Sequence, residues 1–376
     1  MQEDQHILKK AILVKVDSIK EDPKCFVELS RLVNTAGYEP VHKIYQRRDK
    51  PDKAFHLGKG KLAELKDAVD TFDVDLVVFD DDLSGSKLNN LENYLDIEVY
   101  DRKTLILEIF AARAISGEGK LQIDLARKKN MLPRILGKGI ELSRQGGGGA
   151  GGGGARRGGG EQQLEIDRRT LRKEIEELTL KIGKLGQERQ LRRAKRNKNK
   201  IKTVAIVGYT NAGKSTLMNT LTKAGVLADD KLFATLDPKT SRLWLEENRE
   251  IVLTDTVGFI SRLPHGLIEA FKSTLEEAKY ADLLLIVSDA SSESVVVEYD
   301  IVCETLISIG VEENAKRILV LNKSDKGLNS VIPNARDVIK ISAKYGDGIN
   351  QLKEMIAQML FGDGMEIIEC AANEKI

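Results

Sequence analysis

The apolar run Val204-Ala205-Ile206-Val207 passes directly into Gly208-Tyr209-Thr210-Asn211-Ala212-Gly213-Lys214-Ser215, and then into Thr216-Leu217-Met218-Asn219. No other stretch constrains the chain as much. Two glycines with four residues between them, followed by lysine and a hydroxyl residue, make a turn whose bare N–H groups point inward at the start of a helix. Such a turn is an anion cradle. Placed after a strand and before a helix, the pattern predicts a phosphate-binding loop over Gly208–Ser215. Lys214 is then expected to reach the β and γ phosphates of a nucleotide, and the Ser215 hydroxyl to ligate Mg2+.

Further segments follow in the order a guanine-nucleotide switch needs. Strand IVLTD (251–255) ends in Asp255-Thr256-Val257-Gly258, where the carboxylate can reach Mg2+ through its water shell and the Gly258 N–H can sense a γ-phosphate. Strand ILVLN leads to Asn322-Lys323-Ser324-Asp325. The Asp325 carboxylate can accept two hydrogen bonds from guanine, which adenine cannot offer, so ATP is penalised. VIKI (338–341) reaches Ser342-Ala343-Lys344, where the Ala343 N–H can meet the guanine O6. Between phosphate loop and Asp255, Phe233-Ala234-Thr235-Leu236-Asp237 is expected to be switch I, with Thr235 closing on Mg2+ and the γ-phosphate; Thr240 is its competitor. Lys214, Gly258 and Thr235 are the expected catalytic groups. Phe259 stands where Ras-like switches carry a water-orienting glutamine, and a phenyl ring cannot orient water. Either another group positions the water, or hydrolysis is slow until a partner supplies what is missing.

Outside this region the sequence narrows function mainly by exclusion. The four histidines, His6, His42, His56 and His265, form no zinc signature, and Cys25, Cys303 and Cys370 have no metal-ligand or disulfide spacing. A reducing cytoplasmic setting is expected. The N-terminus has no apolar signal core, and no apolar run approaches the roughly 20 residues needed to span a bilayer. A net charge of +1 gives no whole-protein field, so attraction to a polyanion must be local.

Upstream, AILVKV (11–16), LVVF (76–79) and IEVY (97–100) read as strands, and Phe26–Val33, Gly60–Phe72, Leu88–Leu95 and Thr104–Ala114 as helices. That alternation predicts βαβ units and a parallel sheet. The GKGK at 58–61 reads as a solvated helix start. Residues 120–142 and 160–200 are charged and leucine-spaced, the second with a seam at Leu171, Ile175, Leu178, Ile182 and Leu185; they predict an antiparallel helical hairpin, weakened late by Gly183 and Gly186. Between them GGGGAGGGGARRGGG (146–160) reads as a flexible linker, or as a loop ordered when Arg156 and Arg157 meet phosphates. Arg189–Lys202 carries eight lysines and arginines and no acid, which favours a polyanion such as RNA.

With these residues in hand, the sequence closely resembles the HflX family. GYTNAGKST (208–216), LFATLDP (232–238), DTVGFI (255–260) and LPHGLIEAFKSTLEE (263–277) are similar to that family's nucleotide-site and switch segments. GKLQIDLA (119–126), LSRQGGG (142–148) and LEIDRR (164–169) resemble its helical hairpin and glycine-rich loop, the features that separate it from other P-loop GTPases. The family also carries a hydrophobic residue in place of the glutamine, as at Phe259. Family members usually place a threonine and a proline in the glycine-rich loop, where this chain has almost pure glycine, and many continue into a small C-terminal domain. The resemblance implies binding of the large ribosomal subunit and, in stress, separation of stalled ribosomes.

The expected fold is α/β: an N-terminal parallel βα domain over 1–115, a helical hairpin over 116–200, a P-loop GTPase domain with a mostly parallel sheet over 201–362 and a short tail over 363–376. The expected protein is a monomeric, cytoplasmic, Mg2+-dependent GTPase that cycles between GTP and GDP on the large ribosomal subunit and its RNA. A GTP-dependent RNA-binding scaffold for ribosome assembly, with hydrolysis incidental, is the alternative. An ATPase acting through the N-terminal part is a third.

Overall fold

The computed structural model describes residues 9–19, 25–145, 157–198, 201–222, 233, 239–245, 249–262, 272–327 and 331–362. The chain forms two compact units. Among the described residues the first takes those up to Ala194 together with Phe233, Arg262 and Lys272–Thr274, and the second takes the rest.

The first unit is a four-stranded sheet followed by two long helices. Its strands are β1 (Lys9–Asp17), β2 (Tyr38–Arg47), β3 (Leu76–Phe79) and β4 (Glu98–Asp101), in the order β2-β1-β3-β4, all parallel. The central strands β1 and β3 are near-continuous apolar runs because helices cover both faces of a parallel sheet. The connecting helices are α1 (Val27–Thr35), α2 (Lys59–Phe72), α3 (Gly85–Leu95) and α4 (Arg102–Arg113). Asp101 starts α4 by accepting the Thr104 N–H at 2.8 Å, which satisfies one of the orphan donors of the first turn. β2 is an addition to the sequence reading. Its residues YEPVHKIYQR show no clean apolar run, and only Ile44 is fully buried, because β2 lies at the sheet edge.

The hairpin forms from α5 (Gly117–Gln145) and α6 (Arg157–Lys198). Glu118 pairs with Arg189 and Lys128 with Glu174, so partners run in opposite directions along the two helices. Leu171 and Leu178 are buried, as the seam requires. One expectation is corrected: Gly158–Gly160 are helical rather than part of a linker, while α6 runs through Gly183 and Gly186 to Lys198 as the charged, leucine-spaced segment implied. Once the seam has nucleated a helix, each added residue gains a hydrogen bond without repeating the nucleation cost, so poor helix formers are carried along. Residues 146–156, with Arg156, lie outside the described residues.

Among the described residues the second unit has six strands: β5 (Lys202–Gly208), β6 (Lys239–Leu245), β7 (Arg249–Asp255), β8 (Leu283–Asp289), β9 (Arg317–Asn322) and β10 (Val338–Lys340). Their order is β10-β9-β8-β5-β7-β6, and all pairs are parallel except the β6–β7 hairpin. The polar edge strand β6 was not legible in the sequence. The helices are α7 (Lys214–Thr222), α8 (Lys272–Lys279), α9 (Val295–Ser308) and α10 (Ile349–Phe361). Leu217 and Met218 of α7 and Leu352, Ile356 and Leu360 of α10 join Val204 and Ile206 in one core. The chain leaves β5 toward β7 on one side and later returns to β8 on the other, so the end of β5 is a topological switch point, where open parallel sheets hold ligands.

Candidate functional site

The segments singled out in the second unit's sequence converge on one edge of its sheet. Gly208 ends β5, Asp255 ends β7, Asp289 ends β8, Asn322 ends β9, and Ser342–Lys344 follow β10. All are carboxyl ends of strands.

The glycine loop can be made only by glycine. A Cβ on Gly208 would fall 2.1 Å from the Val287 carbonyl oxygen, and one on Gly213, whose φ is +91°, would fall 2.2 Å from Asn322 Nδ2. Lys214 is buried, and its Nζ donates to the carbonyl oxygens of Gly208 at 3.1 Å and Tyr209 at 2.8 Å. Burial pushes its pKa down to about 8, partly opposed by the Asp255 carboxylate. An ammonium held this way is poised for a stronger anionic partner. Beside it, the Ser215 hydroxyl donates to Asp255 Oδ2 at 2.8 Å, with Asp255 fully buried. A hydroxyl and a carboxylate side by side are hard oxygen donors of the kind that fit Mg2+.

At the other end Asn322 is the hinge pin. Its Nδ2 donates to the Ala212 carbonyl and its Oδ1 accepts the Ala343 N–H, both at 2.9 Å. One buried amide thus joins the phosphate loop to the segment after β10. The Asp325 carboxylate lies at the surface, where the Ser342 hydroxyl donates to it at 2.6 Å. Ser324 sits in a single 3-10 turn and donates its N–H to the Ile341 carbonyl at 3.1 Å. Ala343 is buried, and its carbonyl accepts the Thr220 hydroxyl at 2.7 Å. Lys344 directs its ammonium over the Tyr345 ring, 5.1 Å from the centroid.

Asp289 was missed by sequence reading. Lys323 Nζ donates to Asp289 Oδ2 at 2.8 Å and to the Asn211 carbonyl at 2.7 Å, tying the β9 loop to the phosphate loop. Burial raises the Asp289 pKa, but the hydrogen bonds from Lys323 and Ser291 outweigh it and hold the carboxyl below its ordinary value. The only sequence signal was an acid at the end of the apolar run LLLIVSD.

The remaining expected site residues divide. Thr256 and Val257 are buried, and a Cβ on Gly258 would fall 2.9 Å from Lys214 Nζ, so this loop lies against the phosphate loop. Phe259 is buried, its ring packed in the interior. Phe233 belongs to the first unit, where its ring packs on Phe110 with centroids 4.5 Å apart; the ring is therefore a core element there. Ala234, Thr235, Leu236 and Asp237 lie outside the described residues. Thr240 is a β6 residue paired with Thr254.

The basic run is also revised. Arg189 pairs with Glu118, and Lys202 with Asp282 at 2.9 Å, so these two cations already have acidic partners that the linear run did not reveal.

Known proteins match this arrangement along the chain. Residues 203–323 match the family described as 50S ribosome-binding GTPase, residues 24–111 the GTP-binding GTPase N-terminal family and residues 113–196 the GTP-binding GTPase middle region. GTPase HflX of Caldanaerobacter subterraneus subsp. tengcongensis is 48% identical over 355 residues, covering 94% of this chain and 81% of that protein. The chain belongs to the HflX family. GTPase HflX of Escherichia coli is 39% identical over 363 residues, covering 94% of this chain and 84% of that one. Among solved structures, the SsGBP–GDP complex superposes with a TM-score of 0.52 at 29% identity, covering 94% of this chain and 99% of that one. As an HflX-family protein the chain is a GTP-binding P-loop enzyme that hydrolyses GTP. Among the described residues no helix is long and apolar enough to cross a membrane.

Proposed function

We propose that this HflX-family GTPase works on the large ribosomal subunit, contacting its RNA and hydrolysing GTP to GDP and phosphate in a Mg2+-dependent cycle. The observation that carries the nucleotide part is the convergence of Ser215, Asp255, Lys214 and Asn322 at one sheet edge. In this reading Gly208–Ser215 cradle the phosphates, Lys214 and the Gly258 N–H meet the γ-phosphate, and Asn322–Asp325 with Ser342–Lys344 hold the guanine. Ser215, Thr235 and, through water, Asp255 would hold Mg2+. The ion supplies charge neutralisation on the β and γ phosphates. Thr235 is the switch I residue, in the segment from Phe233 to Asp237. The chain divides into an N-terminal α/β domain to about residue 115, a hairpin to about 200 and the GTPase domain to about 362. We place the protein in the cytoplasm as a monomer.

The ribosomal part is supported by the description of the family that residues 203–323 match, and by the unmixed basic run ending α6. Separation of stalled ribosomes is the role that fits best. The test is GTP turnover with and without purified large subunits across a salt series. Subunits should raise turnover, and if about four basic side chains meet phosphate, log affinity should fall with log salt at a slope of about −3 to −4. Replacing Arg192, Arg193, Lys195 and Arg196 with glutamine should flatten that slope without changing GTP binding. Wild-type stimulation by this variant at every salt concentration would remove the run from the interface.

A further inference from the structure

The loop leaving β7, residues 256–259, is tied to the phosphate loop and to the strand before it at both ends. Thr256 donates its N–H at 3.2 Å and its hydroxyl at 2.8 Å to the Ile206 carbonyl. Phe259 donates its N–H to the Gly208 carbonyl at 3.0 Å and accepts the Thr210 N–H at 2.8 Å. Two residues on, the Ser261 N–H donates to the Tyr209 hydroxyl at 2.8 Å. Between these ties the side chains of Phe259 and Ile260 are buried.

Gly258 therefore sits on an arch with fixed footings. A Cβ there would fall 2.8 Å from Thr210 Cγ2 as well as 2.9 Å from Lys214 Nζ, so the backbone lies close against the loop and only glycine fits. Three of the outer bonds, at Thr256, Phe259 and Thr210, join backbone N–H groups to backbone carbonyls and survive any side-chain change. The tie at Ser261 depends on one side chain, that of Tyr209. The same residue lends its backbone carbonyl to Lys214. One residue thus links the lysine, the phosphate loop and the chain just past Gly258.

We propose that Tyr209 is a positioning residue for GTP hydrolysis: its hydroxyl holds the chain beyond Gly258 against the phosphate loop and so fixes where the Gly258 N–H points. The inference rests on the nucleotide-site reading above. A donor aimed in advance at developing charge needs no reorganisation during reaction, and it needs a second layer of contacts to stay aimed. The Phe259 side chain has no polar group to add to its two backbone bonds, and the Tyr209 phenol supplies a side-chain tie just beyond it. GDP lacks the phosphate that the Gly258 N–H would meet, so the effect is specific to the triphosphate.

Tyr209→Phe keeps the ring and removes the acceptor. The kcat for GTP should fall about five-fold, the scale of one neutral hydrogen bond. GDP affinity should stay within about two-fold, while affinity for a non-hydrolysable GTP analogue weakens. Amide exchange in a peptide covering 259–262 should accelerate. The proposal is overturned by a kcat at or above wild type, or by GDP affinity falling in parallel with kcat, which would mean the bond only holds the phosphate loop together. If instead the wild-type protein fails to bind GDP, or Lys214→Ala binds it normally, the nucleotide-site reading itself is wrong.

Discussion

Asn322→Ala is the substitution whose cost the structure specifies most directly. The side chain is 2% exposed and makes two hydrogen bonds of 2.9 Å, to the Ala212 carbonyl and from the Ala343 N–H. Alanine removes both and strands a buried acceptor and a buried donor. Each stranded group costs about 1–3 kcal/mol, so the variant should lose about 3 kcal/mol, with partial rescue by water entering the gap. For a unit of roughly 150–250 residues that corresponds to a midpoint about 6–12 °C lower. GDP affinity should fall about ten-fold or more, because the phosphate loop and the segment after β10 no longer share an anchor. Thermal melting of nucleotide-free protein and titration with a fluorescent GDP analogue measure the two effects. Asn322→Asp should be no milder, since it keeps the acceptor for Ala343 but turns a carboxylate oxygen toward the Ala212 carbonyl. A midpoint within about 2 °C of wild type together with unchanged GDP affinity would refute the bridging role.

Asp325→Asn should cost about 2 kcal/mol of GTP binding and loosen discrimination toward xanthine nucleotides; unchanged GTP affinity by titration would remove Asp325 as the base reader. Burial holds the Lys214 pKa at about 8, below the ordinary lysine value of 10.5, so between those values the unfolded chain binds more protons than the folded one. Stability contributed by this residue therefore rises with pH across that window. In nucleotide-free protein the melting-temperature difference between wild type and Lys214→Met should move in favour of wild type from pH 8 to pH 10, and a flat difference would contradict it.

The elements that were easiest to read are those whose environment is symmetric. β1, β3, β5 and β8 have neighbours on both edges and cover on both faces, so they are almost wholly apolar and announce themselves as AILVKV, LVVF, VAIV and LLLIV, with Lys15 buried against Asp80 as the exception. The edge strands β2 and β6 pair on one side only and mix buried with exposed positions, so their sequences carry a weak pattern; Leu243 and Leu245 are buried while Trp244 between them is exposed. The first turn of α6 misled for a different reason. Its glycines have low intrinsic propensity, and their helical state comes from the elongation of a helix whose stability lies in Leu171 and Leu178.

By itself the sequence determined that a phosphate loop follows β5, that acidic and amide residues end later strands, and that two long helices lie between the α/β parts. These follow from glycine spacing, apolar runs and leucine periodicity, which act over a few residues. Only the tertiary structure decided how those groups meet. Asn322 reaches Ala212 across 110 positions, Lys323 reaches Asn211 across 112, and Ser261 reaches Tyr209 across 52. Whether such residues become neighbours depends on strand order, which sets β8 between β5 and β9 and brings their carboxyl ends to one edge. Strand order is a property of the packed sheet as a whole, because each pairing is stabilised only by partners distant in the chain, and no local stretch of side chains records it.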